Sequence, residues 1–462
     1  MNHMLPLAAV LACLAMPSAA RAEKARAEDG AFMLQNAVGT ENFSISGSFR
    51  LRYETYDNDF RPAARDGAQM LTLRTSIAAE YRAGALRIGG ELRDARAYLT
   101  DAGTPFGSGD VNALEPVQLY AALDLGKGIA GGRSELTAGR FLVNLGSKRM
   151  VGDPGFRSAG NAFTGVRLDW TGKGQQALTL LYTFPQQRLP GDKARLLSND
   201  VVWDREGDDL VFWGGFLSLP GLIGRLDLET YMFGLDENDR PDLATRNRHL
   251  VTPGLRAHVK PAVGKLDFEV EAALQRGSIR TSTAADAARV PVRAYMAHGE
   301  IGYRFAGGWA PRLSLLGDVG SGDHAASTSY NRFDYLFNPQ RTDWGPTGLY
   351  GPLSRNNILS LGAKIEVKPG KRMDAFVTWR AAWLDSATDS FGKTGVRDPA
   401  GATGRHAGHQ IEARMRYWLM PRQMQLDIGG GWLGKGRFLR QAPNAPAQGD
   451  TLATYMDLNI FF

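Results

Sequence analysis

Hydrophobic and polar residues alternate one by one along most of this chain. In residues 44–56, Ile45, Phe49, Leu51 and Tyr53 fall on one face, and Ser46, Ser48, Arg50, Arg52 and Glu54 fall on the other. Successive side chains of a strand point to opposite sides, so a period of two marks a strand with two unlike faces. In residues 69–82, Leu71, Leu73, Ile77 and Tyr81 oppose Arg74, Glu80 and Arg82. In 263–275, Leu266, Phe268, Val270 and Leu274 oppose Lys265, Asp267, Glu269 and Glu271. The pattern predicts eighteen strands, at 44–56, 69–82, 85–97, 115–125, 134–145, 161–170, 175–184, 209–219, 224–235, 248–260, 263–275, 292–305, 310–318, 355–367, 373–384, 409–419, 424–433 and 451–462. Most have the length a tilted strand needs to cross a bilayer.

The connections alternate too. Even strands are followed by short turns such as Ala83-Gly84, Pro220-Gly221, Pro261-Ala262, Lys368–Arg372 and Pro421-Arg422, with 126–133 the longest of this set. Odd strands are followed by longer polar segments at 57–68, 98–114, 146–160, 185–208, 236–247, 276–291, 319–354, 385–408 and 434–450. A soluble sandwich also alternates, but it hides its apolar face under a second sheet. Here the polar face carries charges of both signs on strand after strand, which a wet lumen accommodates. The predicted fold is all-β: a transmembrane antiparallel up-and-down β-barrel of about eighteen strands, with short periplasmic turns and long extracellular loops. Tyr81, Trp170, Phe184, Phe305, Tyr417 and Trp418 sit near strand ends, as interfacial girdles do. The last strand ends at Phe462, with Leu452, Met456, Leu458, Ile460 and Phe462 on one face.

Composition sharpens this picture at the N-terminus. Leu5–Met16 is an apolar run, and Ala20-Arg21-Ala22 is a cleavage site of the A-x-A kind, so residues 1–22 read as a secretory signal peptide. Residues 23–43 form an N-terminal periplasmic segment and 44–462 the barrel. The single cysteine, Cys13, lies in the signal, which excludes disulfides, thiol catalysis and Cys-bound metals from the mature chain. Leu11 makes Cys13 a poor lipidation site. The net charge of +6 is mild and does not single out nucleic acid as a partner. No later stretch is apolar for long enough to form a transmembrane helix.

Residues 134–170 stand apart. Two strand-like runs, Leu136–Leu145 and Ala162–Trp170, flank a loop rich in Gly, Pro, Asp and Asn. Arg140 falls between Gly139 and Phe141, and Arg167 between Val166 and Leu168, so both arginines are expected to face a polar lumen. The loop adds Lys148, Arg149 and Arg157.

With Gly139-Arg140, Leu145-Gly146, Arg149-Met150-Val151-Gly152, Phe156-Arg157 and Phe163-Thr164-Gly165-Val166-Arg167-Leu168, the chain resembles the alginate export family of outer-membrane proteins. Phe49-Arg50-Leu51-Arg52-Tyr53-Glu54, Phe333-Asp334-Tyr335-Leu336-Phe337, Lys435-Gly436-Arg437-Phe438-Leu439 and Ala442-Pro443 extend the likeness over nearly the whole mature chain. The resemblance implies an eighteen-stranded monomeric barrel with a positively charged pore that passes a polyuronate.

The candidate pore-lining residues are Arg50, Arg52, Arg74, Arg93, Arg140, Arg149, Arg157, Arg167, Lys364, Arg380, Arg414 and Arg416. Guanidinium forks pair bidentately with sugar carboxylates and stay charged at any relevant pH. Each rung must bind weakly, or a polymer would stall. The competing reading is that these arginines pair with lumen acids such as Glu54, Glu80, Glu91, Asp169, Asp227, Glu366 and Glu412 and only tie the interior together. The ninth and eleventh strands lean acidic, so the lumen is expected to be polarised. The 319–354 segment, with Tyr330, Phe333, Tyr335, Trp344 and Tyr350 among its charges, reads equally as a surface loop or an in-folded constriction.

Other motifs are weak. Asp236-Glu237-Asn238-Asp239 with Asp242 lacks the spacing of a calcium loop. His406 and His409 have no partner carboxylate nearby in sequence. Two glycine runs, at 126–131 and 429–434, match a dinucleotide fingerprint but lack its strand–helix setting. The predicted function is an outer-membrane channel, not an enzyme and without a cofactor, for passive passage of an anionic polysaccharide or its oligomers. Its surroundings would be outer-membrane lipid and lipopolysaccharide, with periplasmic export machinery as a partner if the direction is outward. The alternatives are a porin for small organic anions and a barrel enzyme acting on lipid.

Overall fold

The computed structural model describes residues 33–62, 67–101, 103–240, 242–339 and 341–462. The expected signal peptide at 1–22 and residues 23–32 of the expected periplasmic segment lie outside the described residues. Eighteen strands follow one another: β1 (Phe43–Asp57), β2 (Gly67–Ala83), β3 (Leu86–Tyr98), β4 (Asn112–Lys127), β5 (Arg133–Leu142), β6 (Ala162–Thr171), β7 (Ala177–Pro185), β8 (Leu210–Ile223) and β9 (Leu226–Glu237) form the first half. The second half is β10 (His249–Val259), β11 (Leu266–Arg280), β12 (Arg289–Arg304), β13 (Arg312–Gly320), β14 (Ile358–Gly370), β15 (Met373–Trp383), β16 (His406–Met420), β17 (Met424–Lys435) and β18 (Thr451–Phe461). Each pairs antiparallel with its neighbour, and β1 pairs with both β2 and β18, so the sheet closes on itself. Closure removes every sheet edge, which is what a bilayer demands of backbone polar groups.

The two faces follow the alternation. Leu119, Leu266, Ile301, Leu315 and Leu361 are exposed on the outside, while Ser48, Arg50, Arg52, Glu54, Thr72, Ser76 and Glu91 are buried inside. Strand boundaries moved by a few residues. β8 continues through Pro220-Gly221 to Ile223 and slips register after Leu219. Proline lacks the ladder donor, so pairing breaks there without ending the strand. Four short helices, α1 (Leu34–Val38), α2 (Lys193–Leu197), α3 (Arg341–Trp344) and α4 (Arg437–Gln441), lie outside the predicted pattern. The Gln35 side chain of α1 accepts from Ile45 N at 2.9 Å and so docks the helix against the start of β1.

The largest departure is the 146–160 connection, expected outside the membrane, while 319–354 takes the in-folded one of its two readings. Residues 143–161 and 321–357 turn into the barrel and pack on each other. Phe337 N donates to Met150 O at 3.0 Å, and Val151 bridges Phe337 in parallel. Apolar residues hold them there. Phe141, Phe163, Phe212 and Phe233 point inward and pack with Met150, Val151 and Phe337. Trp344, Tyr350 and Leu353 join Phe60, Phe391 and Phe438 in a second cluster. The interior is therefore partly an apolar core, and not wet throughout as the charged inner faces of the strands suggest.

The inward turn depends on a tight wall. Gly139 and Gly165 face each other across β5 and β6. A Cβ on Gly139 would lie 2.4 Å from Leu119 O, and one on Gly165 2.3 Å from Tyr182 O. Gly139 also has φ +118°, a conformation that disfavours other residues. Gly139→Ala is expected to lower the yield of folded, heat-modifiable barrel on an unboiled gel several-fold. Gly299→Ala, where a Cβ meets nothing within 4 Å, is expected to fold as the parent does.

Candidate permeation site

The in-folded 143–161 segment crosses the lumen between two distant walls. One wall is β1, where Arg50 Nη1 donates to Gly155 O at 3.0 Å and Arg50 Nη2 to Ser158 Oγ at 3.1 Å. The other is β11, where Arg149 reaches Glu269 and, at 2.8 Å, Glu271. In the ring order β1 and β11 lie nearly opposite, so the segment spans the barrel. The 321–357 segment locks onto it. Arg149 Nη2 bonds Asp343 at 3.0 Å, Asp343 also holds Arg355, and Arg355 Nη2 stands 3.7 Å from Asp318. Asp318 closes the network on Arg380 and on His298, both at 2.7 Å. Burial alone would raise Asp343 and lower Arg149. Their mutual attraction, with Arg355 on one side and Glu269 and Glu271 on the other, outweighs this. Asp343 is held well below the usual carboxylate range and Arg149 well above the usual guanidinium one.

Beside this latch the β1–β3 wall is basic. Arg50 and Arg74 stand directly opposite each other in the β1–β2 register. Neither has a carboxylate partner among the described residues, and each leaves its buried Nε without an acceptor. Arg93, on β3, bonds Glu91 at 2.8 Å and leaves Nη1 3.8 Å from Asp153, beyond hydrogen-bond reach. Like charges facing each other across strands repel, and the two hydrogen bonds of Arg50 to the in-folded segment offset that repulsion only on one side of the pair.

Most of the other predicted arginines are tied to acids. Arg52 grips Asp457 with both arms and stacks 3.6 Å over the Phe156 ring. Arg167 bonds Asp169 at 2.6 Å, Lys364 bonds Glu366 at 3.0 Å, and Arg414 and Arg416 share Asp374 at 3.0 and 3.1 Å. Arg157 has no acid partner among the described residues; its Nε donates to Thr347 O at 2.9 Å. Arg140 is not in the lumen. It stands opposite Leu119 and Thr164 in the register, and Leu119 is 65% exposed on the outer face. There Arg140 binds Glu115 and Glu206, both at 2.6 Å, beneath the β7–β8 connection. Its inward place is taken by Phe141 and Phe163, which pair on the other face.

The lumen is polarised, as strands nine and eleven suggested. Asp227, Glu229, Asp267, Glu269 and Glu271 line β9 and β11, with Arg256 and Arg312 bridging some of them. The sequence reading missed Arg256 and Arg312, which stand on strands, Arg355, which it placed at the start of a strand that begins only at Ile358, and Arg188 and Lys393, which lie in connections without periodicity. The acidic run at 236–242 is taken up by neighbours. Asp236 pairs with His249, Asp239 with Arg280, and Asp242 with Arg205. His406 and His409 pack on Trp383 and Trp379.

A model of the alginate export family matches residues 41–450. Among solved structures, the chain is similar in fold to OccK9 (OpdG) of Pseudomonas aeruginosa, with TM-score 0.59, 13% identity and coverage of 91% of this chain and 99% of that one. OccAB1 of Acinetobacter baumannii gives TM-score 0.57 at 12% identity over 95% and 99% of the two chains. The outer membrane protein OpdK of P. aeruginosa gives 0.55 at 13% over 91% and 99%. A search of curated proteins finds no match.

Proposed function

Because the chain belongs to the alginate export family and forms a channel-type barrel of the bacterial outer membrane, we propose that it carries an anionic polysaccharide, of the alginate-like polyuronate kind, or its oligomers by passive, charge-guided diffusion. The observation that carries this reading is the Arg50–Arg74 pair. Two guanidiniums face each other beside the in-folded segment with donors unfilled. A passing carboxylate supplies the negative charge that the wall lacks. Arg93 and Arg157 extend the surface, and the acid-paired arginines set its shape. The same reading makes residues 1–22 a signal peptide and the barrel a monomer; for export, periplasmic machinery would hand over the polymer.

A second reading, passage of small organic anions, is favoured by the two segments that fill much of the lumen. Liposome flux separates the two. With the purified barrel in liposomes, a uronate trimer is expected to cross at least about tenfold faster than a neutral trisaccharide of the same size. Exclusion of the trimer while monomeric uronate passes would replace the polymer reading with the small-anion one. Equal rates for charged and neutral sugars would end both.

A further inference from the structure

Arg276 on β11 and Arg293 on β12 stand directly opposite each other in the strand register. Both are exposed, and both belong to the outer face of the wall. Leu274 and Tyr295, exposed two residues below them, point the same way, while Gln275 and Ala294 in between are buried on the inner face. Tyr303 lies ten residues further down β12, its ring 4.8 Å from that of Phe305. Ten residues of strand make roughly 33 Å, or about 25 Å of height at the tilt usual in barrels. That is the height of the apolar band. With the aromatic pair at the periplasmic interface, the two arginines stand at the outer-leaflet one.

Their charges are not matched. Arg276 Nη1 donates to the carbonyls of Gln275 at 3.0 Å and Ala294 at 3.5 Å, bonds that anchor the side chain but bring no negative charge. Neither arginine meets a carboxylate among the described residues. Arg289, on the same face of β12 nearer the long connection, adds a third charge held by Ser278 Oγ at 2.7 Å and by Asn247. Other cations on the outer wall come with their acids. Arg96 pairs with Asp94, Arg140 with Glu115 and Glu206, His249 with Asp236, and Arg280 with Asp239. Like charges directly opposite across strands destabilise a sheet, so the Arg276–Arg293 pair favours an anion supplied from outside.

Below the pair the wall is notched. Gly299 and Gly317 are cross-strand partners, and Gly317 in turn faces Leu361. With no side chains at the two glycines, Ala297, Val319, Leu361 and Trp383 border an apolar trough of about 580 Å³ on the outer face. A Cβ on Gly299 would meet nothing within 4 Å. Ala297 and Gly299 share strand and face with Arg293, so the trough lies beneath the arginines on the membrane side.

We infer that Arg276, Arg293 and the trough at Gly299 and Gly317 form a binding site for a phosphorylated, multiply acylated glycolipid of the outer leaflet, with a phosphate on the two guanidiniums and an acyl chain in the trough. A phosphate monoester carries about two negative charges near neutral pH, one for each arginine, whereas a phosphodiester headgroup carries one. Guanidinium forks grip phosphate oxygens bidentately, and arginine keeps its charge at the membrane surface. All of these residues lie outside the barrel, so the site is independent of the solute and its failure would leave the proposed function untouched.

Native mass spectrometry of the detergent-solubilised barrel, titrated with diphosphoryl lipid A in EDTA, tests the site. The chelator removes divalent cations that would bridge phosphates to acids. The parent is expected to retain one lipid A, and Arg276→Gln with Arg293→Gln to weaken its binding about tenfold or more, as the loss of charge-assisted bonds requires. Arg96→Gln is expected to bind as the parent does. Dephosphorylated lipid A and phosphatidylglycerol are expected to bind the parent at least several-fold more weakly. Gly299→Leu, which fills the trough at an open position, is expected to weaken binding several-fold while still giving a heat-modifiable barrel on an unboiled gel. Equal binding by the parent and the double variant, equal binding of phosphorylated and dephosphorylated lipid A, or unchanged binding by Gly299→Leu would overturn the inference. A parent that binds no lipid A and runs as a dimer broken by Gly299→Leu would overturn it too, and make the trough a face between two copies of the barrel.

Discussion

Replacing Arg50 and Arg74 together by glutamine strips the channel of most of its anion preference, with a fall of about tenfold or more in the anion-to-cation permeability ratio. Two unit charges about 6–16 Å from a permeating ion are each worth about 1–3 kcal/mol at an effective dielectric constant near 20. Every ~1.4 kcal/mol is a factor of ten. The Arg50 bonds to Gly155 O and Ser158 Oγ are lost, but Arg52 on Phe156 O and Arg149 on Glu271 still hold the in-folded segment. Removing two like charges that face each other relieves repulsion, so the double variant is expected to resist thermal unfolding at least as well as the parent. The same change at Arg414 and Arg416 is expected to do much less. Those side chains already share Asp374, and removing them leaves one acid in a partly open lumen. Reversal potentials of the two double variants, recorded under one salt gradient, check the contrast. Equal losses would mean that pairing does not decide which arginines act on the solute.

Arg149→Ala is the second large effect. Arg149 is 4% exposed and neutralises Glu269, Glu271 and Asp343, and through Asp343 it couples to Arg355. Removing one partner of such a network strands buried charge, at a cost of about 3–5 kcal/mol. Asp343 keeps Arg355 and Glu269 keeps Arg256, so Glu271 is the carboxylate left without its cation, and release of the 143–161 segment from the β11 wall would let water reach it. Single-channel conductance is therefore expected to rise at least about twofold, with frequent transitions between levels, because a released segment samples open positions. Glu271→Gln leaves Arg149 with Asp343 and Glu269, so it is expected to stay near the parent conductance. The latch also predicts a pH window. Asp343 is held well below its unfolded value, so the stabilisation it brings is present above about pH 4 and is lost only as pH falls further. Opening by acid is expected below that value. A conductance rise between pH 8 and 5 would place the weak link elsewhere.

The barrel was legible in the sequence because its wall obeys one local rule. Ile45, Phe49 and Leu51 against Ser48, Arg50 and Arg52 is enough to assign both faces of β1, and the same rule holds around the ring. The short and long connections told which end was which. The filling of the lumen was not legible, for reasons that lie in the fold. Arg149 is 120 residues from Glu269 and 194 from Asp343, and Arg52 is 405 from Asp457, so no local pattern announces these pairs. The inward turn of 143–161 depends on Phe141 and Phe163 facing the lumen. Alternation counted from Arg140 puts them outside, because an arginine beside a phenylalanine looks like the polar member of the pair. A covering segment with Glu206 makes an outer position acceptable to Arg140. The absence of an acid opposite Arg50 and Arg74 could have been sought in the sequence only with the β1–β2 register in hand.

The reversal potential of the unmodified channel in a planar bilayer, under a salt gradient and then with uronate oligomers added, tests the central claim most directly. An anion-selective current that the oligomers block is the expected result, since the unpaired wall arginines would dominate the permeation path. A cation-selective current indifferent to uronates would mean that the acids of β9 and β11 line that path, and it would contradict carriage of an acidic sugar polymer.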